Sequence, residues 1–115
     1  MGRARELWEQ LSAAMEKDDD TAVAELYAVE SIFLEPNNPP HEGRTLIRSY
    51  LNSWMQARED LDINVERMLE SEDGSTLAVE WTMSYTAAGR RWSNLPRSSW
   101  VEVDAGGIRY HRDYY

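Results

Sequence analysis

The sequence predicts a single α+β domain in which helices pack against a strongly twisted antiparallel sheet. Apolar residues recur at helical spacing through the first half of the chain, and from Asp62 onward they alternate with polar residues at the period of a strand. Helices segregated from a run of antiparallel strands form an α+β fold, and a twisted sheet wrapped around them encloses a cone-shaped apolar space. The 115 residues have the length of one ordinary domain, residues 1–115.

Three helices are predicted before the main run of strands. The first extends from about Arg3 to Lys17, where apolar residues lie on one helical face. A short second helix begins at Thr21 under an Asp20 cap and buries Tyr27. The third follows Gly43 and is predicted by one continuous apolar stripe, formed by Leu46, Ile47, Tyr50, Leu51, Trp54 and Met55.

Five strands are predicted, one short and four long. The short strand contains Ile32, Phe33 and Leu34 and ends at Glu35, directly before Pro36. The long strands form a meander joined by turns, with the sequences "DINVERMLES", "TLAVEWTMSYTA", "RWSNLPRSSWVEV" and "IRYHRDYY".

Two of the long strands have features that affect the site. Pro96 predicts a bulge or an edge position in the third long strand, because proline cannot donate to a sheet ladder. Alternation in the closing strand places four residues on one face: Arg109, His111, Asp113 and Tyr115. The strand pattern has not ended at Tyr115, so we expect the strand to continue beyond it.

Composition argues against several classes of partner. The chain has 21 acidic and 12 basic residues, a net charge of −9. Nucleic acids and anionic membranes require clustered Lys and Arg, so neither is expected to bind. The chain has no cysteine, and the spacing around His41 and His111 does not match a metal site, so we predict no metal and no cofactor. No apolar segment approaches the roughly 20 residues of a membrane span, and we expect a soluble, cytoplasmic protein.

Glu35 and Asp113 are the candidate catalytic residues. If the Asp113 face of the closing strand points inward, both carboxylates meet in an apolar cavity. A desolvated carboxylate can act there as a general acid or base near neutral pH. The alternative for Glu35 is a solvated strand end, because most Glu side chains are exposed. The alternative for Asp113 is an exposed ion pair with Arg109 or Arg112.

Aromatic residues usually belong to the hydrophobic core, but those with a polar group, Tyr and Trp, also indicate a ligand cavity. The chain contains five Trp and six Tyr. We predict a small apolar organic ligand, with His111 as a hydrogen-bonded cavity residue. Four residues are candidates to stabilise a developing oxyanion, namely Tyr50, Trp54, Ser99 and His111. The full set of predicted substrate-binding residues is His111, Tyr50, Trp54, Trp81, Met83, Tyr85, Ser99 and Tyr115.

Three stretches of the chain carry a family resemblance: "AAMEKDDDTAVAELYAVESIFLEP", "HEGRTLIRSYL" and "DAGGIRYHRDYY". In order and spacing they resemble the nuclear transport factor 2-like superfamily, in particular its SnoaL-like and ketosteroid isomerase-like branches, over essentially the whole chain. The resemblance implies one SnoaL-like domain with a cone-shaped fold, in which three N-terminal helices pack in the concave face of the sheet.

The resemblance also implies roles for the two carboxylates. Glu35 and Pro36 lie where ketosteroid isomerases have an Asp-Pro whose carboxylate shuttles a substrate proton. Asp113 lies where limonene epoxide hydrolases and SnoaL-type cyclases have an acid/base Asp.

The chain departs from these relatives at other positions. Leu11 stands where the isomerases have an oxyanion-binding Tyr, and Ser99, or Ser98 after a one-residue shift, stands where they have a protonated Asp. Val79 and Trp81 fall near the Arg and Asp of the epoxide hydrolase triad. Neither established mechanism is complete in this sequence.

The prediction for function is a cofactor-independent acid/base enzyme that acts on an apolar cyclic or carbonyl-bearing compound. The reaction is an isomerisation, a cyclisation, a dehydration or a hydrolysis by water addition, with Glu35 as the proton-transfer group and Asp113 as the orienting or second acid/base group. The alternative is a non-catalytic ligand-binding or assembly domain of the same fold. A homodimer is also predicted, because alternation places the large aromatic Trp100 on the outer side of the sheet.

Overall fold

The computed structural model describes residues 2–115 as three helices packed on one six-stranded sheet. The helices are α1 (Arg3–Glu16), α2 (Asp20–Glu25) and α3 (Arg44–Gln56). The strands are β1 (Tyr27–Leu34), β2 (His41–Glu42), β3 (Glu59–Glu70), β4 (Thr76–Ala87), β5 (Arg90–Asp104) and β6 (Gly107–Tyr114). Their order across the sheet is β2-β1-β6-β5-β4-β3. None of the helices in this part of the chain has the length and apolar character needed to cross a membrane.

The predicted α+β cone fold is confirmed, but the sheet is mixed where an antiparallel sheet was predicted. Strand β1 pairs with β6 in parallel, and Phe33 lies opposite His111. The last pair of this ladder joins Leu34 to Arg112. The next residues along the two strands are Glu35 and Asp113, so the parallel pairing brings both carboxylates to the same end of the sheet.

The core lies between the helices and the inner face of the sheet. Helix α1 contributes Trp8, whose ring lies 5.8 Å from that of Trp81 in an edge-to-face arrangement. Such aromatic contacts contribute about 0.5–1.5 kcal/mol beyond their buried area. Strand β4 presents its predicted apolar face to this core, with four buried residues: Leu77, Val79, Trp81 and Met83.

Two predicted helices differ in detail from the structure. The Asp19 carboxylate accepts a 3.1 Å hydrogen bond from the Ala22 backbone N–H, so Asp19 caps α2 and the helix begins at Asp20. Tyr27 begins β1 and does not belong to α2, because sheet pairing with β6 starts there. Leu46 is exposed on α3, away from the buried stripe.

The predicted placement of Arg109 on the Asp113 face is wrong. The register of β5 and β6 shifts after Glu102, and Arg109 is the extra residue of a β-bulge. The bulge turns Arg109 to the outer face, where it forms a 2.6 Å ion pair with Glu102. Ile108 and His111 are both buried although they are three residues apart, which an uninterrupted strand does not allow.

We expect Gly107→Ala to lower the free energy of unfolding by about 1–3 kcal/mol. Gly107 has φ +122°, and a Cβ atom there would lie 2.6 Å from the Leu26 carbonyl oxygen. Urea unfolding measures the effect, with Gly89→Ala as the control, because Gly89 also has a positive φ but its Cβ would meet nothing within 4 Å. Equal losses in the two variants would contradict a steric origin.

Candidate active site

The concave side of the sheet encloses a cavity of about 50 Å³. Pockets for drug-sized ligands are about 300–1,000 Å³, so this cavity has room only for a compact group. Most of the lining is aromatic or aliphatic, and both candidate carboxylates contribute to it. The predicted site residues that line the cavity are Glu35, Tyr50, Trp54, Trp81, Met83, His111, Asp113 and Tyr115.

Two predicted substrate-binding residues lie outside this lining. The register of β4 and β5 shifts after Met83, and Tyr85 packs beyond Trp54, with their ring centroids 5.9 Å apart. The guanidinium of Arg58 stacks on both rings there, so Tyr85 lines an outer depression. Ser99 is buried behind the cavity wall and acts through its hydroxyl group, described below.

Glu35 is buried, and the alternative of a solvated strand end is wrong. Its side chain is 6% exposed. The Tyr50 hydroxyl donates to Oε1, and the Asn38 side-chain amide donates to the same oxygen at 2.9 Å. Burial and the bond to Glu35 raise the pKa of Tyr50, so this phenol stays protonated and remains a donor. His41 Nε2 lies 4.0 Å from Oε1.

Asp113 belongs to a buried polar chain, and the alternative of an exposed ion pair is wrong. Its side chain is 12% exposed. Oδ1 accepts from the Ser99 hydroxyl at 2.5 Å and lies 2.8 Å from His111 Nε2. The Trp81 indole N–H donates to Ser99 Oγ at 2.9 Å. His111 is a hydrogen-bonded residue of the cavity, as predicted.

The hydroxyl of Tyr27 is the next group in this series of buried polar side chains. It lies 2.7 Å from His111 Nδ1. Burial, followed by the negative charges of Asp113 and Glu35, raises the pKa of Tyr27, so its hydroxyl remains a donor. An ionised Asp113 can only accept, so the proton of a neutral His111 is on Nε2 and donates to Oδ1, which leaves Nδ1 to accept from the Tyr27 hydroxyl.

Tyr115 and Arg97 form the open end of the cavity. The Arg97 guanidinium lies 3.8 Å from the centre of the Tyr115 ring. Burial raises the pKa of Tyr115, the negative charge of Glu35 adds to this effect, and the positive charge of Arg97 opposes it. The negative charge of Asp113 also raises this pKa, so three charged groups act on one phenol.

The sequence prediction missed several residues of the site, among them Tyr27, Asn38, His41 and Arg97. Tyr27 and His41 reach the site through sheet pairing, since Tyr27 lies opposite Ile108 and His41 lies opposite Phe33. Such pairing between distant segments leaves no periodic signal. The His41 ring stacks on a neighbouring tyrosine at 4.0 Å, and its Nε2 is buried without a hydrogen bond to any described residue.

The arrangement provides two carboxylates with different partners in one aromatic cavity. A phenol and a side-chain amide donate to Glu35, whereas a hydroxyl and an imidazole surround one oxygen of Asp113. Within residues 2–115, no three metal-ligating side chains are grouped to hold a metal ion. The chemistry that these groups offer is the transfer of a proton to or from a carboxylate.

The fold and the cavity define a small nuclear transport factor 2-like protein with carboxylates in a conical site. The model of the family described as the SnoaL-like domain matches residues 8–111. The chain therefore belongs to the SnoaL-like family. A search of curated proteins finds no significant match.

Solved structures share the fold over nearly the whole chain. A hypothetical protein with a ketosteroid isomerase-like fold from Catenulispora acidiphila, in complex with trimethylamine, is 16% identical with a TM-score of 0.84, covering 98% of this chain and 87% of that chain. An LEH-like epoxide hydrolase from M. tuberculosis is 20% identical with a TM-score of 0.83, covering 97% and 77%. RV0760c from Mycobacterium tuberculosis is 15% identical with a TM-score of 0.87, covering 97% and 90%. At these identities the similarity shows the fold alone.

Proposed function

We propose that this protein is a small-molecule acid/base enzyme that acts without a cofactor. The observation that carries the proposal is Glu35, a carboxylate whose side chain is 6% exposed and which lines an aromatic cavity. Desolvation makes a carboxylate a stronger base than it is in water. Isomerisation, aldol-type cyclisation, dehydration and water addition all require a proton transfer of this kind.

The roles of the two carboxylates follow from their partners. Asp113 is held by Ser99 and His111, which support its ionised form and fix its orientation. Glu35 also accepts two hydrogen bonds, from Tyr50 and Asn38, but no imidazole lies within hydrogen-bond distance of it, because His41 Nε2 stops 4.0 Å away. Glu35 therefore moves the proton, and Asp113 orients the substrate or acts as the second acid/base group.

The size of the cavity restricts the substrate. A volume of about 50 Å³ admits only a compact reacting end, with the rest of an apolar cyclic or carbonyl-bearing compound at the open end beside Tyr115. A similar structure, from Catenulispora acidiphila, was solved in complex with trimethylamine, which is a small organic molecule.

The second candidate function is a non-catalytic ligand-binding domain. The small cavity volume favours it, because the rings of Trp54 and Trp81 lie in the wall and leave little space. Trp92 does not add to this filling of the cavity, because it is 38% exposed and lies outside the lining.

Hydrogen–deuterium exchange distinguishes the two functions. Small cyclic and open-chain carbonyl compounds are incubated in D₂O with the protein, and NMR follows deuterium entering the position next to the carbonyl. An acid/base enzyme accelerates this exchange, and Glu35→Gln removes the acceleration. A protein that binds these compounds without accelerating exchange at any of them supports the binding-domain alternative.

We further propose that the protein is a homodimer that pairs through the outer face of the sheet. Trp100 is 42% exposed there, beside the exposed side chains of Leu69 and Tyr114. We expect sedimentation to show a dimer at micromolar concentration and Trp100→Glu to shift it to a monomer. Trp92→Glu, at an exposed tryptophan on the β4–β5 hairpin, is the control and should remain dimeric. A monomeric wild type would contradict the proposal.

A further inference from the structure

We propose that Arg97 binds the carbonyl oxygen of the substrate and stabilises the oxyanion that forms when Glu35 removes a proton. The inference rests on the proposed function and names its substrate class, which is a carbonyl compound with an acidic C–H next to the carbonyl group. The carbonyl oxygen lies toward the open end of the cavity, and the carbon that loses the proton lies deeper, beside Glu35.

The first argument is the charge of the cavity. Glu35 and Asp113 both line it, so a new negative charge on a substrate oxygen is repelled by two carboxylates. Arg97 is the only Lys or Arg among the described residues of the lining. A preorganised donor that carries positive charge stabilises an oxyanion more strongly than a neutral donor does.

The second argument is the availability of donors. Among the four predicted oxyanion donors, the hydroxyl groups of Tyr50 and Ser99 each donate to a carboxylate, and both ring nitrogens of His111 are hydrogen-bonded. Of these four, the indole N–H of Trp54 is the one donor that makes no hydrogen bond to another residue of 2–115. A guanidinium carries five N–H donors, and Arg97 uses one of its nitrogens for a single hydrogen bond and forms no ion pair with a described residue.

The third argument is the position of Arg97, which is fixed from two sides. Its guanidinium rests on the Tyr115 ring, and Nη1 donates to the Pro96 carbonyl oxygen at 2.9 Å. Pro96 pairs with Thr82 of β4, whereas pairing with β6 begins only at Ser98. Pro96 therefore has the edge position that its missing N–H requires, and it stiffens the backbone next to Arg97.

The chemical step balances without another reactant. A Glu35 oxygen takes the proton, the electrons of the broken C–H bond form a carbon–carbon double bond, and the C=O π electrons move onto the oxygen. Arg97 donates hydrogen bonds to that oxygen. If the substrate also carries a C=C bond between its β and γ carbons, the enolate is a dienolate, and Glu35 can return the proton to the γ carbon. The electrons of that C=C bond form the new C–H bond, the C=O bond and the carboxylate are restored, and the net reaction is an isomerisation.

The test uses 4-nitrophenolate, a planar oxyanion whose absorbance reports its environment, and the neutral 4-nitroanisole of similar shape. Both are titrated into the protein at a pH where the phenol is ionised. We expect Arg97→Gln to weaken phenolate binding about 10–100-fold, or about 1.4–2.8 kcal/mol, as for the loss of a hydrogen bond to a charged group. Binding of 4-nitroanisole should not change. Arg97→Lys, which keeps the charge but loses the planar donor pair, should fall between wild type and Arg97→Gln.

The controls locate the effect. Arg112→Gln is the matched variant, because Arg112 stacks on Tyr114 at 5.1 Å outside the cavity, and it should bind both probes like wild type. Glu35→Gln should strengthen phenolate binding, because it removes a like charge from the cavity.

Several outcomes would overturn the inference. They are a wild type that does not bind phenolate, an Arg97→Gln variant that binds it normally or loses both probes equally, and an equal loss in Arg112→Gln. Binding of the probes requires no turnover, so this result is separate from the deuterium-exchange test. Phenolate binding that depends on Arg97 without any deuterium exchange would refute the enzyme and retain the oxyanion site. If deuterium exchange depends on Glu35 but Arg97→Gln binds phenolate normally, the enzyme is retained and the oxyanion site at Arg97 is refuted.

Discussion

Glu35→Gln is expected to slow proton transfer by about 10²–10⁴-fold while substrate binding is kept. Glutamine has nearly the same shape, and its carbonyl oxygen can still accept the hydrogen bond from Tyr50. It cannot accept a proton from carbon at neutral pH. Deuterium exchange at saturating substrate measures the rate, and ligand titration measures the binding.

Glu30→Gln is the matched control for this prediction. Glu30 lies on the same strand, β1, but it is exposed. The variant should exchange deuterium at the wild-type rate. A loss of activity in Glu30→Gln as large as that in Glu35→Gln, or full activity in Glu35→Gln, would contradict the role of Glu35. Full activity in variants of both Glu35 and Asp113 would contradict proton transfer by these two carboxylates.

The fold could be predicted from the sequence because the apolar period changes once, from helical in the first half to alternating from Asp62 onward. Each helix and each long strand buries one face, and this burial produces a local periodicity of apolar residues that can be recognised in the sequence. The mixed sheet was not predictable in the same way. The parallel pairing of β1 with β6 joins segments more than 70 residues apart, as in the pair of Phe33 with His111, and no local pattern encodes it.

The candidate site was predictable to the level of its carboxylates. Side-chain alternation on a strand end is reliable where the strand is regular, and β6 is regular from His111 to Asp113. The same reasoning failed for Arg109, because a bulge interrupts the alternation, and for Tyr85, because the register of β4 shifts before it. Irregularities of this kind depend on the partner strand.

The two carboxylates differ in how their negative charge is stabilised. One oxygen of Asp113 lies within hydrogen-bond distance of a hydroxyl and an imidazole nitrogen, and the hydroxyl is itself held by the indole of Trp81. This linked set of groups holds the Asp113 carboxylate in one orientation, which suits it to position other groups of the site.

Asp113→Asn is accordingly expected to lose about tenfold in activity, which is less than the loss in Glu35→Gln. The amide oxygen can still accept from Ser99 and His111, but a neutral acceptor binds these donors more weakly than a charged one, by about 1–1.5 kcal/mol. A barrier raised by this amount lowers the rate about tenfold. Ser99→Ala should lose activity in the same direction, because it removes one of the donors, whereas Ser98→Ala on the neighbouring position should not. Deuterium exchange by the four variants gives the ranking, and a larger loss in Asp113→Asn than in Glu35→Gln would exchange the two roles.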